Sequence, residues 1–452
     1  MKPGESTPNR KLGLALSGGG YRAAAFHLGT LRALNRLGIL KNVDVLSTVS
    51  GGSIVGAAYA LALTQPYDQF ETIFVGKLKK SVIRRLLFSW VFIRAIIGIT
   101  GILTFAIWFQ FTGYPWITWI VAIALFDVLL SIQFKVLPVS NVIEEIYDSI
   151  FFDGKGLLDL PARPTMAINS TNLETGRQFT FSRDWMSDAT YRYSKSDEPI
   201  LFTTDNFPLS RAVMASSCVP FAFTPVRIDK EFFMNPALAD DISPELIDGG
   251  VFDNQGIHKL TAQKSHTACE VVIVSDAGNK MGTVGSYKNS LGLLVRTMDL
   301  FMNRIKKFQI MDNIYQPGRD RKRQIAYISL GWDLDRCIPG FVDNLREGNI
   351  PQSVIDSHGI PKQYLEPLNE VAVKDFLEEK LQYLALKQRQ QSESDLQCAR
   401  DVATNLTALS DREINALINQ AELMTELQVQ LYCPSLFVQN SSGRQSSSQA
   451  NE

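Results

Sequence analysis

A serine in a glycine-rich turn is the residue of this sequence best placed to act as a nucleophile. Ser50 follows an apolar run, Val43–Leu46, that predicts a buried strand, and precedes a run of small and apolar residues, Ser53–Leu63, that predicts a packed helix. A serine between a strand and a helix, with a glycine such as Gly52 two places later, is the pattern of a nucleophile elbow. Such a turn exposes the hydroxyl for attack on a carbonyl carbon. The alternative is a turn that only connects the two elements.

The residues around Ser50 favour it over the neighbouring serine and depart from the pattern at one place. Ser53 is followed two places later by valine and already falls within the predicted helix. Gly51 and Gly52 have no side chain, so substrate and facing chain can come close to the turn. Thr48 stands where the pattern usually has its first glycine. We therefore predict Ser50 as the nucleophile, on an elbow with one unusual residue.

A second glycine-rich turn follows the first predicted strand, Leu12–Leu16. Its glycines, Gly18–Gly20, precede an apolar-periodic helix predicted to run to about Leu37, with Gly38 as its C-terminal cap. Backbone N–H groups at the N-terminus of a helix bind anionic oxygens. Such a loop serves as an oxyanion hole in acyl transfer or as a pyrophosphate site, since Gly18–Ala23 formally fits the GxGxx(G/A) fingerprint. A turn that only packs is the third interpretation.

An aspartate follows a short apolar run in the second half of the chain. Leu246 and Ile247 precede Asp248, and Gly249 and Gly250 follow it. This order places an acidic residue at the end of a predicted strand. The ordinary pKa of its carboxyl group, near ~4, makes it a weak base at neutral pH, and burial would raise that pKa.

Taken in this order, the motifs resemble those of the patatin-like phospholipase family. The run Gly18–Arg22 looks like the oxyanion loop of that family, Thr48–Gly52 like its GxSxG elbow, and Asp248–Gly250 like its Asp-Gly-(Gly/Ala) motif. Two further stretches, Ala215–Pro220 and Asn172–Gly176, are similar to stretches that lie between those motifs. Three motifs in the right order are specific, whereas any one of them is not.

The likeness covers roughly Leu12 to Leu330 and implies an α/β fold with three layers, helices lying on both sides of a central sheet. It also implies hydrolysis of fatty acyl esters of phospholipids or lysophospholipids through an acyl-enzyme, without metal or cofactor. The residues it assigns are Ser50 and Asp248 as a catalytic dyad, Gly18, Gly19 and Gly20 as the oxyanion hole, Arg22 as substrate or loop support, Gly51 and Gly52 in the elbow, and Gly249 and Gly250 beside the base.

Three alternatives remain open from the residues. A Ser-Asp-His esterase is one, because Ser50, Asp248 and either His258 or His266 occur in the α/β-hydrolase order. A membrane-tethered protein that binds a nucleotide at Gly18–Ala23 without hydrolysis is another. A catalytically inactive, lipid-sensing scaffold is the third.

An apolar insertion separates the serine from the aspartate. No charged residue occurs from Ala95 to Phe126, and Thr112–Pro115 divides the insertion into Leu86–Phe111 and Trp116–Phe134, each near the ~20 residues that cross a bilayer as a helix. We predict a transmembrane hairpin, the alternatives being a buried core hairpin and a monotopic insertion. Aromatic residues cluster near the turn, namely Trp108, Tyr114, Trp116 and Trp119. Basic residues flank the two ends, namely Lys77, Lys79, Lys80, Arg84, Arg85 and Lys135. By the positive-inside bias, both ends lie in the cytoplasm.

The bulk properties narrow the class of protein further. A net charge of −1 over 452 residues argues against a general electrostatic attraction to nucleic acid. Five scattered cysteines, without metal-ligand spacing, suit a reducing compartment. The resemblance implies a phospholipid or lysophospholipid substrate, and the apolar insertion predicts the bilayer as a second partner. Together they give a bacterial inner membrane as the expected location, with the catalytic domain in the cytoplasm.

Strand and helix patterns alternate through the rest of the chain, which favours an α/β sheet. Ser410 and Glu413 predict a capping box for a helix that runs to about Leu431. Further strands are predicted at 165–170, 178–181, 270–275 and 324–330, and a helix at 291–308. The predicted organisation is a polar tail (1–11), a catalytic domain in two parts (12–80 and 140–335), the hairpin (86–134), a C-terminal helical extension (336–438) and a disordered tail (439–452).

Overall fold

A mixed β-sheet forms the centre of the protein. The computed structural model describes residues 10–192, 199–262, 265–279, 289–312 and 323–437. Within these ranges the strands are β1 (Leu12–Leu16), β2 (Val45–Val49), β3 (Thr165–Asn172), β4 (Gln178–Phe181), β5 (Met186–Ser187), β6 (Val226–Arg227), β7 (Glu245–Asp248), β8 (Val271–Asp276) and β9 (Gln324–Ser329). They run in the order β5-β4-β3-β2-β1-β8-β9, and β7 pairs with both β3 and β6.

The middle of the sheet is parallel and its strands are buried. β1 pairs with β2 on one side and with β8 on the other, all in the same direction. Every residue of β1 and β2 is buried, as expected for parallel strands covered by helices on both faces. β7 runs antiparallel to β3, with Asp248 opposite Ser170. The predicted central sheet is confirmed, and β1 and β4 have the predicted bounds.

Helices connect and cover these strands. They are α1 (Gly20–Arg36), α2 (Gly51–Leu61), α3 (Tyr67–Leu78), α4 (Val82–Leu87), α5 (Trp90–Trp108), α6 (Trp116–Ser131), α7 (Gln133–Val136), α8 (Val139–Tyr147), α9 (Ala189–Arg192), α10 (Leu209–Ser216), α11 (Gly250–Asp253), α12 (His258–Thr261), α13 (Ser290–Ile310), α14 (Cys337–Arg346), α15 (Gln352–His358), α16 (Lys362–Leu365), α17 (Glu370–Lys380), α18 (Tyr383–Gln388), α19 (Glu393–Asp401) and α20 (Asp411–Tyr432).

The first and last of these helices pack against each other. α1 ends where predicted, at Arg36, and Gly38 adopts a positive φ of 69° just beyond it. α20 begins at the predicted capping box, in which the Ser410 and Glu413 side chains bond each other's backbone amides. Most residues of both helices are buried, and their apolar side chains share one hydrophobic core.

The apolar insertion forms two helices, α5 and α6, that face each other. The Thr118 hydroxyl of α6 donates a hydrogen bond to the Ala106 carbonyl of α5 at 2.7 Å, which joins the helices near their turn. By length and composition, one described helix could cross a membrane: Trp90–Phe111 has 22 residues and a mean hydropathy of 2.0, and only 6% of its apolar window is buried. A second candidate exists if Trp116–Val128 and Gln133–Phe152, bent by 81° at their junction, form one span.

Both helices of the insertion are shorter than their sequence pattern predicts. Leu86 lies in the separate helix α4, where its side chain is buried in the core. α6 ends at Ser131, because the backbone leaves the helical region at Ile132 (φ −128°, ψ 19°), and Phe134 lies in the next helix, α7. The predicted disordered tail (439–452) and nearly all of the predicted N-terminal tail lie outside the described residues.

Candidate active site

Ser50 lies on a sharp turn between β2 and α2, as the elbow pattern predicts. Its backbone has φ 49° and ψ −118°, a conformation that residues other than glycine rarely adopt. The residue is almost completely buried, with 6% of its surface exposed, and lines a cavity. Strained backbone of this kind is typical of functional sites, where the surrounding structure fixes it.

Two glycines let the elbow touch the loop after β1. The Gly52 amide donates to the Ser17 carbonyl at 3.1 Å. A side chain at Gly52 would overlap the backbone of Leu16, and one at Gly51 would overlap the backbone of Gly20. The two glycine-rich turns found in the sequence are therefore in direct contact.

A buried serine from another element fixes the backbone of the elbow. The Ser50 amide donates to the Ser216 hydroxyl at 2.9 Å, and that hydroxyl donates to the Asn169 carbonyl at 2.6 Å. Ser53 lies 2.8 Å from the same hydroxyl. Ser216 belongs to the run Ala215–Pro220, which resembles a family stretch but has no role predicted from the sequence.

Thr48 is accommodated although the usual residue at its place is glycine. Its hydroxyl accepts a hydrogen bond from Ser53 at 3.0 Å. Its methyl group occupies space left by Gly56 of α2, because a Cβ at Gly56 would lie 2.6 Å from that methyl carbon. The absence of a glycine at position 48 is thus compensated by the glycine at position 56 in α2.

Asp248 ends β7, and its carboxylate lies in the same cavity as Ser50. The Gly250 amide donates to the carboxylate at 2.6 Å, and the Asp248 amide donates to the Cys218 carbonyl at 2.8 Å. Gly249 has no room for a side chain, because it packs on the backbone of Asn169. The Asp-Gly-Gly motif therefore fixes the carboxylate at the end of its strand.

Burial raises the pKa of Asp248 to about 6, and hydrogen bonds to the carboxylate from the Gly250 amide and the Ser50 side chain partly oppose that rise. A carboxylate with this pKa is mostly ionised at pH 7 and is a stronger base than an ordinary aspartate. The Ser50 side chain therefore lies next to the Asp248 carboxylate, whose pKa is raised.

Of the three amides predicted to form the oxyanion hole, one already donates to another residue. The Gly18 amide donates to the Asn254 carbonyl at 2.9 Å, so this N–H group is already engaged. The amides of Gly19 and Gly20 have no hydrogen-bond acceptor among the described residues, and neither has that of Gly51, the residue after the serine. Amides at these positions, two on the loop and one after the nucleophile, are the usual composition of an oxyanion hole.

Arg22 lies at the start of α1 and also lines the cavity. Its guanidinium donates to the Val402 carbonyl at 3.3 Å, whereas its Nε is buried without a partner in the described part of the chain. Burial lowers its pKa, and the nearby Asp276 opposes that effect. This contact joins the start of α1 to the segment at Val402.

None of the four histidines, all of which lie in described ranges, lines the cavity of Ser50. His27 is buried between the Ser275 hydroxyl (2.8 Å) and the Ser17 carbonyl (2.9 Å), and burial lowers its pKa to about 4. The ring of His258 packs on Phe252, and that of His266 packs on Trp185. The geometry does not bring a histidine to the dyad.

The cavity has a volume of about 590 Å³, enough for a large part of an acyl ester. Besides the residues above, Tyr147, Phe223 and Met302 contribute apolar surface to its wall. Gln255 lines it too, and both polar atoms of its side chain are buried without a partner among the described residues. Gln255 was not predictable from the sequence, because a glutamine after Asp-Asn is typical of a turn. No group of three or more His, Cys, Asp or Glu side chains in the described ranges could hold a metal ion.

Comparison with known proteins agrees with this geometry. The family described as Patatin-like phospholipase matches residues 14–261, whereas a comparison with curated protein sequences finds no match. Among solved structures, VipD from Legionella pneumophila is 14% identical, with 95% of this chain and 87% of that chain covered and a TM-score of 0.33. Human GIVD cytosolic phospholipase A2 is 12% identical, with 94% of this chain and 62% of that chain covered and a TM-score of 0.45. Because the family match spans more than half of its 452 residues, this chain belongs to the patatin-like phospholipase family.

Proposed function

We propose that this protein hydrolyses fatty acyl esters of phospholipids or lysophospholipids with Ser50 as nucleophile and Asp248 as general base. The observation that carries the proposal is the single cavity in which a strained, buried serine lies beside a buried carboxylate whose pKa is raised to about 6. Family membership supports the same class of reaction.

In the first half of the reaction, the Ser50 oxygen attacks the ester carbonyl carbon while its proton moves to the Asp248 carboxylate. The carbonyl oxygen becomes an oxyanion, which the amides of Gly19, Gly20 and Gly51 stabilise. The carbon–oxygen bond to the alcohol then breaks, and Asp248 gives its proton to the leaving oxygen. The products are the free alcohol and an acyl ester on Ser50.

In the second half, water takes the place of the alcohol. Asp248 accepts a proton from the water molecule as its oxygen attacks the acyl carbon, and the same amides hold the new oxyanion. When the bond to Ser50 breaks, Asp248 returns the proton to the serine oxygen. The fatty acid leaves, and the dyad is restored.

Covalent labelling tests the nucleophile. A fluorophosphonate probe should label the full-length protein, and Ser50→Ala should abolish both labelling and ester hydrolysis while its unfolding temperature stays close to that of the wild type. An alanine variant that keeps more than a few per cent of the activity would show that another residue attacks the ester.

Matched variants test the base. Asp248→Asn keeps the shape of the side chain but removes the proton acceptor, so its loss of activity should be comparable to that of Ser50→Ala. His258→Gln and His266→Gln are the controls and should keep most of the activity. A histidine variant as inactive as Asp248→Asn would favour a Ser-Asp-His triad instead.

We also propose that α5 and α6 form a transmembrane hairpin that anchors the catalytic domain to the cytoplasmic face of an inner membrane. The outward side chains of α5 and α6 are largely apolar and exposed, and Trp90–Phe111 is about 33 Å long at 1.5 Å per residue. The hairpin separates Ser50 from Asp248 in sequence, so the chain has to return to the side it left for the dyad to form. An even number of crossings meets that requirement.

A further inference from the structure

The wall of the active-site cavity is joined directly to the first end of the hairpin. Ile83 of α4 lines the cavity, and α5 begins only a few residues later, at Trp90. The Val82 amide donates to the Leu406 carbonyl at 3.0 Å, and Leu406 lines the cavity as well. The point at which the chain leaves the catalytic domain for the hairpin is therefore fixed to the cavity wall.

The other end of the hairpin returns to the same wall. The Ser140 hydroxyl donates to the Thr224 carbonyl, and the Thr224 hydroxyl donates to the Leu137 carbonyl at 3.3 Å. Thr224 directly follows the segment Val219–Phe223, most of which lines the cavity. Within this segment, Phe221 is 62% exposed. Both ends of the hairpin thus converge on the cavity.

A third element of the wall, α13, has an apolar face directed away from the cavity. Met298 and Met302 line the cavity, and Lys306 pairs with the buried carboxylate of Asp276, which holds the helix on the domain. On another face, four large apolar side chains are each more than half exposed: Leu293, Leu300, Phe301 and Phe308. Leu293 and Leu300 are seven residues apart, as are Phe301 and Phe308, and Leu300 is next to Phe301, so the four side chains lie in one stripe along the helix.

Basic residues accompany this apolar stripe. Arg304 and Lys307 are exposed on the same helix, and the Arg304 guanidinium lies 5.4 Å from the centre of the Phe308 ring. An amphipathic helix with exposed leucine and phenylalanine beside arginine and lysine is typical of the interface of an anionic bilayer, where the apolar side chains enter the lipid and the cations meet the headgroups.

We propose that the outer stripe of α13 and the segment Val219–Phe223 insert into the cytoplasmic leaflet of the membrane that the hairpin spans. This inference rests on the proposed function. The occupant is a lipid surface, because the same cavity wall continues into the apolar hairpin and because the stripe carries the charge that anionic lipid attracts. A lipid then enters the cavity from the leaflet with its acyl chain out of water, whereas a soluble ester does not need this surface.

Activity on two substrates tests the proposal. The full chain is placed in vesicles of phosphatidylethanolamine and phosphatidylglycerol, and release of fatty acid from these lipids is compared with hydrolysis of p-nitrophenyl butyrate. The variant Leu293→Ser/Phe301→Ser/Phe308→Ser should lose about tenfold or more of its activity on the vesicle lipid, because about three large apolar contacts with lipid are removed, and should keep its activity on the soluble ester. The control Val371→Ser/Leu384→Ser removes equally exposed apolar residues from α17 and α18 and should change neither activity.

A direct measurement of depth accompanies the kinetics. Four of the five native cysteines are buried, so Cys398→Ser leaves a background in which an environment-sensitive fluorophore can be attached at Phe301→Cys or, as the control, at Val371→Cys. Quenching by lipids with a spin label near the headgroup should affect the label at 301 and not that at 371. Absence of quenching at 301, or unchanged vesicle activity of the triple variant, would overturn the proposal. A wild type that hydrolyses neither substrate would instead contradict the proposed function.

Discussion

A carboxyl group that titrates near pH 6 makes the proposed reaction sensitive to pH. Because Asp248 has to be ionised to accept the serine proton, kcat/KM for a soluble ester should fall below pH 6 by about tenfold per unit. Neither His258 nor His266 lines the cavity of Ser50, so neither imidazole is expected to produce this limb. The profile should keep its shape in His258→Gln and His266→Gln. A rate constant that is flat from pH 5 to 8 would contradict the assignment of Asp248.

The same carboxylate is expected to reduce the stability of the fold. Its pKa is higher in the folded protein than in the unfolded chain, so folding favours the protonated form, and the cost of the charge is fully present above pH 6 and lost as the pH falls toward 4. Asp248→Asn keeps the acceptor for the Gly250 amide and should raise the free energy of unfolding at pH 8 by on the order of 1–3 kcal/mol.

Denaturant unfolding of wild type and Asp248→Asn at pH 8 and at pH 5 measures this effect. The difference between the two proteins should be smaller at pH 5 than at pH 8. An asparagine variant that is less stable than the wild type at pH 8 would show that the carboxylate has a stabilising partner.

At the scale of single elements, the contact of Thr48 with Gly56 of α2 can be tested by one substitution that lowers activity and a second that restores it. Gly56→Ala places a methyl group against the Thr48 methyl, which should displace the elbow and lower kcat more than tenfold. Thr48→Gly removes the obstruction and restores the usual elbow pattern, so Thr48→Gly/Gly56→Ala should recover most of the lost activity. Steady-state kinetics and unfolding temperatures of the wild type, Gly56→Ala, Thr48→Gly and the double variant form a double-mutant cycle. Equal losses with and without Thr48 would mean that these residues act independently.

The elements that carry the motifs were predictable, whereas the contacts between them were not. β1 is apolar throughout and is followed by glycines, so its bounds follow from the local pattern. The elbow and the Asp-Gly-Gly turn are signalled by short-range residue order. The role of Ser216 was not predictable, because its hydroxyl meets the Ser50 amide only after α10 and β2 have packed together.

Two other features show the limits of local pattern. Gly18 belongs to the oxyanion motif by sequence, but its amide is used by Asn254, a residue far away in the chain. The predicted apolar segment continues through Ile132 to Phe134, but the backbone bends at Ile132, so α6 is shorter than that segment. In both cases a backbone group or dihedral angle decides the outcome, and residue type alone does not specify it.

At the scale of the whole molecule, the hairpin predicts which sites face which side of the membrane. In a Cys398→Ser background, a cysteine in place of Gly113 should react with an impermeant thiol reagent added outside intact cells. Cysteines in place of Lys79 or Lys155 should react only after the cells are opened. Reaction of positions 79 and 155 from opposite sides would rule out both the hairpin and the dyad that depends on it.

The packing of α1 against α20 also determines when the protein can fold during its synthesis. Arg32 and Arg36 of α1 both form ion pairs with Glu422, and the Thr30 and Thr425 hydroxyls are hydrogen-bonded. The first long helix therefore needs the last one for its buried contacts. On the ribosome, α5 and α6 emerge long before α20 has been translated. The apolar side of α1 therefore lacks its partner for most of elongation. If α5 and α6 enter the membrane as proposed, anchoring precedes folding of the sheet and its helices, and a chain released before Asp411 would be anchored but not folded.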